Sequence, residues 1–305
     1  MDLFESEHVV ADMLVKADAI TAEVMARFSI SHVIAAFSGG DDSVVSTHWA
    51  MNKFPDAVVM IGDTQVGLQP TRDHQSAVVK ACGWDYHRVA PSPEGKPKGW
   101  GKEWIEGSTS YEEFVLNFGF PGNAQHARMY QRLKQRAFRK IKDCVPGGRS
   151  RPRGSRMMVV SGIRADESAI RAGYQRAWQE EPSECFVWVN PFYYSTATEF
   201  EAYRQEFGLP LNPVKKLCGV SGECCCGSHV VPGERAAYSV ADPLFSSYLD
   251  ELESRVMQRF DWGFEGKPPA MTRREKDERN GQTFLDFDSP APTFMPACVG
   301  CIRKR

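Results

Sequence analysis

The residues best suited to chemistry form a short segment, residues 38 to 43, with the order Ser-Gly-Gly-Asp-Asp-Ser. Residues 33 to 37 before it are apolar and β-prone, and residues 44 to 54 after it contain neither proline nor glycine. This order predicts a strand, a glycine turn and a helix. The first N–H groups of a helix have no partner within it and lie at the positive end of its dipole, so the segment is suited to bind an anion.

Two common phosphate-binding motifs are excluded, because the segment is neither Gly-x-x-x-x-Gly-Lys-Ser/Thr nor Gly-x-Gly-x-x-Gly. It instead resembles the pyrophosphate loop, Ser-Gly-Gly-x-Asp-Ser, of enzymes that split ATP between its α and β phosphates or bind a related adenylyl compound. The resemblance implies that Asp42 lies near the metal or the loop backbone and that the phosphates are held by Ser38, Gly39, Gly40 and Ser43. Asp41 departs from the pattern, since several relatives have lysine or an apolar residue there. An ordinary glycine-rich turn is the alternative interpretation.

A second candidate anion-binding loop follows the strand predicted at residues 157 to 160. It contains Gly162, Arg164 and Arg171 in the order Gly-x-Arg-x-x-Glu-Ser-x-x-Arg. Arginine stays charged and presents a planar fork that suits phosphate or sulfate. A surface ion pair with Glu167 is the alternative. The segment resembles the corresponding one in phosphoadenosine phosphosulfate (PAPS) reductases and their relatives, which implies that both arginines bind an anion.

A third group of polar residues follows the strand predicted at residues 57 to 61. Gly62-Asp63-Thr64 ends this strand, and Pro70-Thr71 begins the next predicted helix. Proline is common at the first position of a helix, so Pro70 does not by itself indicate a ligand. The same order occurs in PAPS reductases. The resemblance therefore places Asp63 and Thr64 at the nucleotide, where the carboxyl ends of parallel strands gather ligands. The predicted nucleotide-binding set is Ser38, Gly39, Gly40, Asp42, Ser43, Asp63, Thr64, Gly162, Arg164 and Arg171, and its catalytic members are Ser43, Asp42 and Arg164.

These loops need a sheet to bring them together. Helical spacing of apolar residues predicts a helix over residues 2 to 28, and β-prone runs predict further strands at 84 to 89 and 187 to 189. Ser110-x-x-Glu113 and Thr196-x-x-Glu199 predict capped helix starts. The family resemblance implies an α/β fold of the adenine nucleotide alpha hydrolase-like type, with a doubly wound, mostly parallel sheet. We expect residues 1 to 215 to form this nucleotide-binding domain and residues 216 to 305 to form a cysteine-rich helical and extended extension. An amphipathic helix is predicted over residues 243 to 262.

Cysteines are concentrated in the C-terminal extension, where Cys-x-x-Cys presents two thiolates on one turn. Zn²⁺ in a closed tetrahedral site and an iron-sulfur cluster both accept four thiolates. The arrangement resembles the Cys-Cys, long gap, Cys-x-x-Cys that carries a [4Fe-4S] cluster in the adenylylsulfate-reducing members of the family. This resemblance favours [4Fe-4S], with Zn²⁺ as the alternative. The predicted ligands are Cys218, Cys225, Cys298 and Cys301, with Cys224 and Cys226 as substitutes.

The net charge and the hydropathy of the chain limit the classes of partner that we expect it to bind. The formal net charge of −2 argues against a protein built wholly to bind nucleic acid. Residues 128 to 156, however, carry many lysines and arginines against a single acid, Asp143. This basic segment is either a solvated helix face or a surface for a polyanion, which could be nucleotide phosphates or a nucleic acid. No apolar run approaches the roughly 20 residues of a membrane helix, and no signal pattern begins the chain. We therefore expect a cytoplasmic protein whose cysteines are thiols or metal ligands.

The resemblance implies an adenine-nucleotide enzyme, and two chemistries occur in the family. One is ATP pyrophosphatase-type activation with Mg²⁺, followed by sulfur transfer to an anionic acceptor such as tRNA or DNA, with a sulfur-donor protein as a partner. The other is reduction of adenylyl sulfate (APS or PAPS) by a cysteine on a C-terminal tail with the sequence Glu-Cys-Gly-Leu-His. Only Ile-Arg-Lys-Arg follows Cys301, so sulfur transfer is favoured and the reductase is the alternative. A nucleotide-binding module without catalysis is a third hypothesis.

Overall fold

A six-stranded sheet forms the centre of the molecule. The computed structural model describes residues 3 to 93, 108 to 167, 176 to 182, 184 to 266 and 268. The strands are β1 (Ile30–Ala36), β2 (Val58–Gly62), β3 (Tyr86–Val89), β4 (Arg156–Val160), β5 (Trp178–Glu181) and β6 (Phe186–Val189). Their order in the sheet is β3-β2-β1-β4-β6-β5. Every neighbouring pair is parallel except β5 with β6, so the predicted mostly parallel sheet is confirmed.

Helices cover both faces of the sheet. They are α1 (Leu3–Arg27), α2 (Asp41–Lys53), α3 (Gln69–Ala81), α4 (Ser110–Phe118), α5 (His126–Tyr130), α6 (Arg136–Arg139), α7 (Ile141–Cys144), α8 (Ala197–Glu206), α9 (Pro213–Cys218), α10 (Glu234–Ala241) and α11 (Pro243–Val256). Met158 of β4 packs in a cluster with residues of α1, α2 and α8, whereas its neighbour Met157 packs in another cluster with Ile141 of α7. Alternate residues of one strand thus serve two apolar layers, which is the doubly wound arrangement. No helix in the described ranges is long and apolar enough to cross a membrane.

A third apolar cluster attaches the C-terminal part of the described chain. It joins Val66 and Leu68, which follow β2, and Phe114 of α4 to Cys218 and to Leu249 of α11. The segment after residue 215 therefore packs directly on the segment after β2, close to the carboxyl ends of the strands. The division of the chain at residue 215 stays a prediction.

Several local expectations need correction. The capping box of α4 uses Thr109 and Glu112, one residue before the predicted Ser110 and Glu113, because Glu113 instead pairs with Arg132. The predicted box of Thr196 with Glu199 is confirmed. The antiparallel strand β5 was not predicted, and α11 ends at Val256 rather than near residue 262. Residues 131 to 135, within the basic segment, form a π-helical turn.

His48 of α2 is expected to make the stability of the protein depend on pH. Burial lowers the pKa of His48 from 6.5, and its Nδ1 lies 2.9 Å from Tyr203 Oη. The unfolded chain therefore binds more protons here than the folded one, so stability is complete above about pH 6.5 and declines as the pH falls towards the lower folded pKa. We expect His48→Gln to flatten this decline in urea unfolding measured across that range. The exposed His8→Gln variant is the control, and an unchanged slope in His48→Gln would contradict the assignment.

Candidate nucleotide-binding site

The phosphate loop, residues 38 to 43, forms the tight turn predicted between β1 and α2. Gly39 has φ +78°, in the left-handed region that favours glycine, and Gly40 is the N-cap of α2 without a side-chain cap. The Gly40 N–H donates to Ser38 Oγ at 3.3 Å, and Ser38 Oγ donates to Ser43 Oγ at 3.0 Å. Ser43 Oγ donates in turn to the Gly40 carbonyl at 2.8 Å. The two serines thus hold the turn in shape, and the first N–H groups of α2 are presented without a side-chain cap.

Two residues that the sequence did not single out support this loop. Gln75 of α3 donates from Nε2 to the Ser38 carbonyl at 2.8 Å, and Arg88 of β3 donates to Gln75 Oε1 at 2.9 Å. A Cβ on Gly39 would lie 2.7 Å from Gln75 Cγ, so the buried glutamine fits only against glycine. No motif contains Gln75. Its i, i+4 spacing from Thr71 on the buried face of α3 was the one signal available.

The additional carboxylate of Asp41 has partners of its own. Its Oδ2 lies 2.8 Å from Lys215 Nζ, and its Oδ1 accepts the Asn212 N–H at 3.0 Å. The buried Asn212 side chain also donates to the Gly39 carbonyl at 2.8 Å. The negative charge that departs from the family pattern is therefore used to attach the start of α9 to the phosphate loop.

The loop after β4 meets the phosphate loop directly. Arg164 donates from Nε and Nη2 to Asp42 Oδ2 at 3.1 and 3.0 Å, and its guanidinium lies 5.0 Å from the ring centroid of Phe200. A Cβ on Gly162 would lie 2.6 Å from the Asp42 carbonyl oxygen and 3.0 Å from the Ser43 nitrogen. Only glycine allows this approach. The two predicted anion-binding loops are thus neighbours, while Arg171 lies outside the described residues.

A central cavity opens at the carboxyl ends of β1, β2 and β4. It encloses about 520 Å³, part of it open to solvent, and Ser38, Ser43 and Gly162 line it. Its apolar wall contains Phe37, Met60, Tyr130, Phe138, Ile163 and Trp188. Such a cavity, with polar groups at one end and flat apolar surface at the other, suits a ligand that carries phosphates and a ring.

An ion pair completes the lining of the central cavity. Lys134 Nζ lies 2.7 Å from Glu223 Oε2, and the two side chains are 7% and 8% exposed. Lys134 comes from the π turn Gln131–Gln135, a type of irregularity that is frequent at functional sites. Glu223 belongs to the segment that contains the cysteine triplet. The ion pair between Lys134 and Glu223 could not be predicted from the sequence, because 89 positions separate the two residues.

The cysteine loop, residues 219 to 228, is fixed to the segment after β2. Thr64 Oγ1 donates to the Glu223 carbonyl at 2.7 Å, and Thr71 Oγ1 donates to the Ser221 carbonyl at 2.6 Å. Two backbone hydrogen bonds of 2.8 Å join Cys225 N–H to the Val66 carbonyl and Leu68 N–H to the Gly222 carbonyl. The threonines predicted by family likeness therefore hold the cysteine loop at the rim of the central cavity.

Asp63, the other residue predicted at the end of β2, has two partners. Its Oδ1 accepts from Arg72 Nη2 and from the Gln65 N–H, each at 2.9 Å. Asp63 does not line the central cavity. It lines a narrow cleft beside it, together with Arg72 and Arg88. The carboxylate therefore orders the loop after β2, and its contact with a nucleotide stays a prediction.

The described thiols of the predicted metal centre are buried in the third apolar cluster. Cys218, Cys225 and Cys226 are 0%, 2% and 4% exposed, and burial raises the pKa of the Cys225 thiol well above its usual value. Within the described ranges, no three His, Cys, Asp or Glu side chains are grouped so that they could hold a metal ion. Cys298 and Cys301 lie outside those ranges. A four-thiolate centre therefore requires these two residues, and the dry, thiol-rich surroundings of Cys218 and Cys225 suit a soft metal.

The basic segment, residues 128 to 156, is compensated by acids from distant parts of the chain. Arg132 pairs with Glu113, Lys134 with Glu223, Arg139 and Lys142 with Glu184, and Arg156 with Glu180. Asp143 pairs with Arg149. The count of one acid within the segment is correct, but folding brings further acids to it from elsewhere in the chain. Binding of nucleic acid by this segment stays a prediction.

The parallel sheet, the glycine turn at the end of its first strand and the adjoining cavity define an α/β protein of the nucleotide-binding, pyrophosphate-loop class. The family model described as the phosphoadenosine phosphosulfate reductase domain matches residues 32 to 217, and the chain belongs to this family. The predicted family is thus confirmed. No curated protein matches the chain.

Solved structures with a similar fold include a reductase, a synthetase and a thiolase. PAPS reductase from Candida auris is 17% identical, with a TM-score of 0.44, over 72% of this chain and 93% of that one. NH3-dependent NAD synthetase from Campylobacter jejuni is 14% identical, with a TM-score of 0.43, over 89% and 99% of the two chains. The U34-tRNA thiolase NcsA from Methanococcus maripaludis, with its [4Fe-4S] cluster, is 11% identical, with a TM-score of 0.40, over 92% and 90%.

Proposed function

We propose that the protein is an adenine-nucleotide enzyme that activates an acceptor with ATP and then transfers sulfur to it. The observation that carries this proposal is the position of the cysteine loop. Thr64 and Thr71 hold that loop by hydrogen bonds to two of its carbonyl groups, and Glu223, which precedes Cys224, lines the cavity that contains Ser38 and Ser43. The segment that contains the cysteine triplet thus reaches the cavity of the glycine turn through Glu223, which supports the proposal.

In this proposal the phosphates of ATP bind at the uncapped start of α2 and the adenine lies against the apolar wall. The N–H groups of the turn suit phosphate oxygens, and the positive end of the α2 dipole favours their charge. The Ser43 hydroxyl can turn its one donor from the Gly40 carbonyl to a phosphate oxygen. Lys134 lines the same cavity, where Glu223 balances its charge. Mg²⁺ bound with the triphosphate supplies further positive charge for the leaving pyrophosphate. Arg164 holds Asp42 and so fixes the first turn of α2.

Sulfur is handled at the cysteine loop. Cys218 and Cys225, with Cys298 and Cys301, would hold the [4Fe-4S] cluster favoured by family likeness, and Zn²⁺ is the alternative. The bound cluster would supply sulfur chemistry at this loop, and Cys224 and Cys226 are the further thiols of the loop that could hold sulfur. The acceptor is an anionic molecule such as tRNA or DNA, and a sulfur-donor protein supplies the sulfur.

Adenylyl sulfate reduction is the second candidate, favoured by the family to which the chain belongs. The same phosphate loop and apolar wall suit adenylyl sulfate, and the nearby thiols suit a reductase. A nucleotide-binding module without catalysis is the third candidate. Sulfite released from adenylyl sulfate with a thiol reductant indicates the second, whereas nucleotide binding without either activity indicates the third.

The test is product analysis after incubation with ATP and Mg²⁺, with and without tRNA or DNA. We expect AMP and pyrophosphate, and we expect Ser43→Ala to slow their release about tenfold, as for loss of one hydrogen bond to a charged group. Ser46→Ala is the control, because Ser46 is buried on the same helix but donates only to backbone carbonyls of Asp42 and Ser43. Absence of pyrophosphate with every acceptor would reject the proposal.

A further inference from the structure

A second, wider cavity lies beside the segment after β2. It encloses about 640 Å³, part of it open to solvent, and Gln65, Gly67, Arg72, Phe245 and Tyr248 contribute to its lining. The narrow cleft beside Asp63 adjoins both cavities, because it shares Gly62 and Glu223 with the central cavity and Gly67 and Arg72 with the wider one. Gly222 and Glu223 of the cysteine loop line this cleft.

Gln65 combines two unfavourable features at this place. Its φ is +63°, a conformation that residues other than glycine adopt rarely and at a cost. Its side-chain Oε1 is buried and accepts no hydrogen bond from any described residue. A buried acceptor without a donor is itself unfavourable. Strain of this kind persists at sites where function requires it, so Gln65 is a candidate ligand-binding residue.

The other lining residues indicate what the ligand is. Phe245 and Tyr248 place two rings 6.0 Å apart, and neighbouring Leu244 is 83% exposed, so the cavity offers apolar surface to a flat molecule. Arg72 binds Asp63 through Nη2, but a guanidinium has five N–H donors and can bind a phosphate as well. Gln65 Oε1 requires an N–H donor. A flat ring with an N–H edge and an attached phosphate is a nucleotide.

We propose that this cavity binds one nucleotide unit of the acceptor, with its base beside Tyr248 and a phosphate at Arg72, and that the Gln65 side chain turns towards the base so that Oε1 accepts one of its N–H groups. The inference rests on the proposed function in that the bound unit is the sulfur acceptor. ATP and the acceptor thus occupy different cavities, and the narrow cleft that contains Gly67 and Glu223 shares lining residues with both.

The test compares Gln65→Gly with wild type in binding a short labelled single-stranded RNA and its DNA counterpart, with a non-hydrolysable ATP analogue present. Glycine relieves the strain and removes the acceptor, so we expect the melting temperature to rise by about 2 °C and strand affinity to fall about tenfold. Cys185→Gly is the matched control, because Cys185 has φ +58° and does not line the cavity. It should gain stability without losing affinity.

Competition between uridine monophosphate and the labelled strand shows whether the cavity also binds a free nucleotide. Binding of either the strand or the monophosphate supports the proposed recognition of a base and a phosphate. Equal strand affinity in Gln65→Gly and wild type overturns the inference, as does failure of wild type to bind both strands and the monophosphate. Pyrophosphate release from ATP is measured separately. If Gln65→Gly loses strand binding but the wild-type protein releases no pyrophosphate, the cavity assignment stands and the proposed ATP chemistry is rejected.

Discussion

Gly162→Ala is expected to weaken ATP binding by about a hundredfold and to lower the urea midpoint of unfolding. The added Cβ would lie 2.6 Å from the Asp42 carbonyl oxygen and 3.0 Å from the Ser43 nitrogen. Both atoms belong to the backbone of the first turn of α2 and cannot move aside as a side chain would. The turn must therefore shift at the point where its N–H groups face the phosphates, and a displacement near 1 Å can cost about a hundredfold.

The control for this variant is Gly62→Ala. Gly62 lies at the end of β2, and no heavy atom comes within 4 Å of an added Cβ there, so the urea midpoint should stay near that of wild type. Isothermal titration with a non-hydrolysable ATP analogue measures the affinity of Gly162→Ala. If Gly162→Ala binds the analogue as tightly as wild type, the ligand does not contact the start of α2 and the assignment of the central cavity is wrong.

The elements that hold the phosphate loop were predictable because their signals are local. The apolar run of β1, the turn of Gly39 and Gly40 and the capping pair Thr196 and Glu199 each lie within a few residues of what they determine. Family likeness assigned the loops after β1 and β4 to one site, and these loops do meet. Strand order in the chain would not have been enough, because β4 lies next to β1 although β2 and β3 come between them in sequence.

The capping pair of α4 was misplaced by one residue for a tertiary reason. Thr109 and Ser110 can both cap a helix, and Glu112 and Glu113 both suit the third position. Burial of Glu113 against Arg132, 19 residues later, decides between them. A local pattern that fits two registers is resolved only by a partner from another element.

Charge was the least predictable property of the site. Asp41 appeared as a repulsive neighbour of phosphate, but Lys215 neutralises it from 174 positions away in the chain. The basic segment appeared uncompensated, but Glu184 and Glu223 reach it from beyond β4. Ion pairs join residues at any sequence distance, so net charge over a window does not predict the potential at a folded surface.

The position of the cysteine loop also could not be predicted from the sequence. The triplet Cys224 to 226 indicated metal or thiol chemistry, and likeness to the family placed it after the nucleotide domain. That Thr64 and Thr71 anchor the loop follows from hydrogen bonds to its carbonyl groups, which no side-chain motif encodes. The predicted Asp-Thr and Pro-Thr pairs therefore have a physical role in addition to any contact with a nucleotide.

Arg164→Met is expected to lower the free energy of unfolding by about 3 to 5 kcal/mol, the typical result of removing one partner of a buried ion pair. The Arg164 side chain is 9% exposed and that of Asp42 14% exposed, and two hydrogen bonds join them. Methionine can fill the space beside Phe200 but leaves the Asp42 carboxylate without its cation. The helix dipole at the start of α2 offsets only part of that loss. Urea unfolding of the purified variants measures the effect.

The double variant Asp42→Asn, Arg164→Met separates two roles of the arginine. If Arg164 acts by holding Asp42, removing both charges restores most of the lost stability and most of the affinity for the ATP analogue, because the buried carboxylate is gone. Asp166, the other carboxylate that Arg164 contacts, is 41% exposed and stays solvated when the arginine is removed. If Arg164 instead binds the nucleotide directly, stability recovers but affinity stays low. A double variant that recovers neither shows that packing against Phe200, rather than charge, is what Arg164 contributes. Arg164→Lys, which keeps the charge without the fork, should fall between wild type and Arg164→Met.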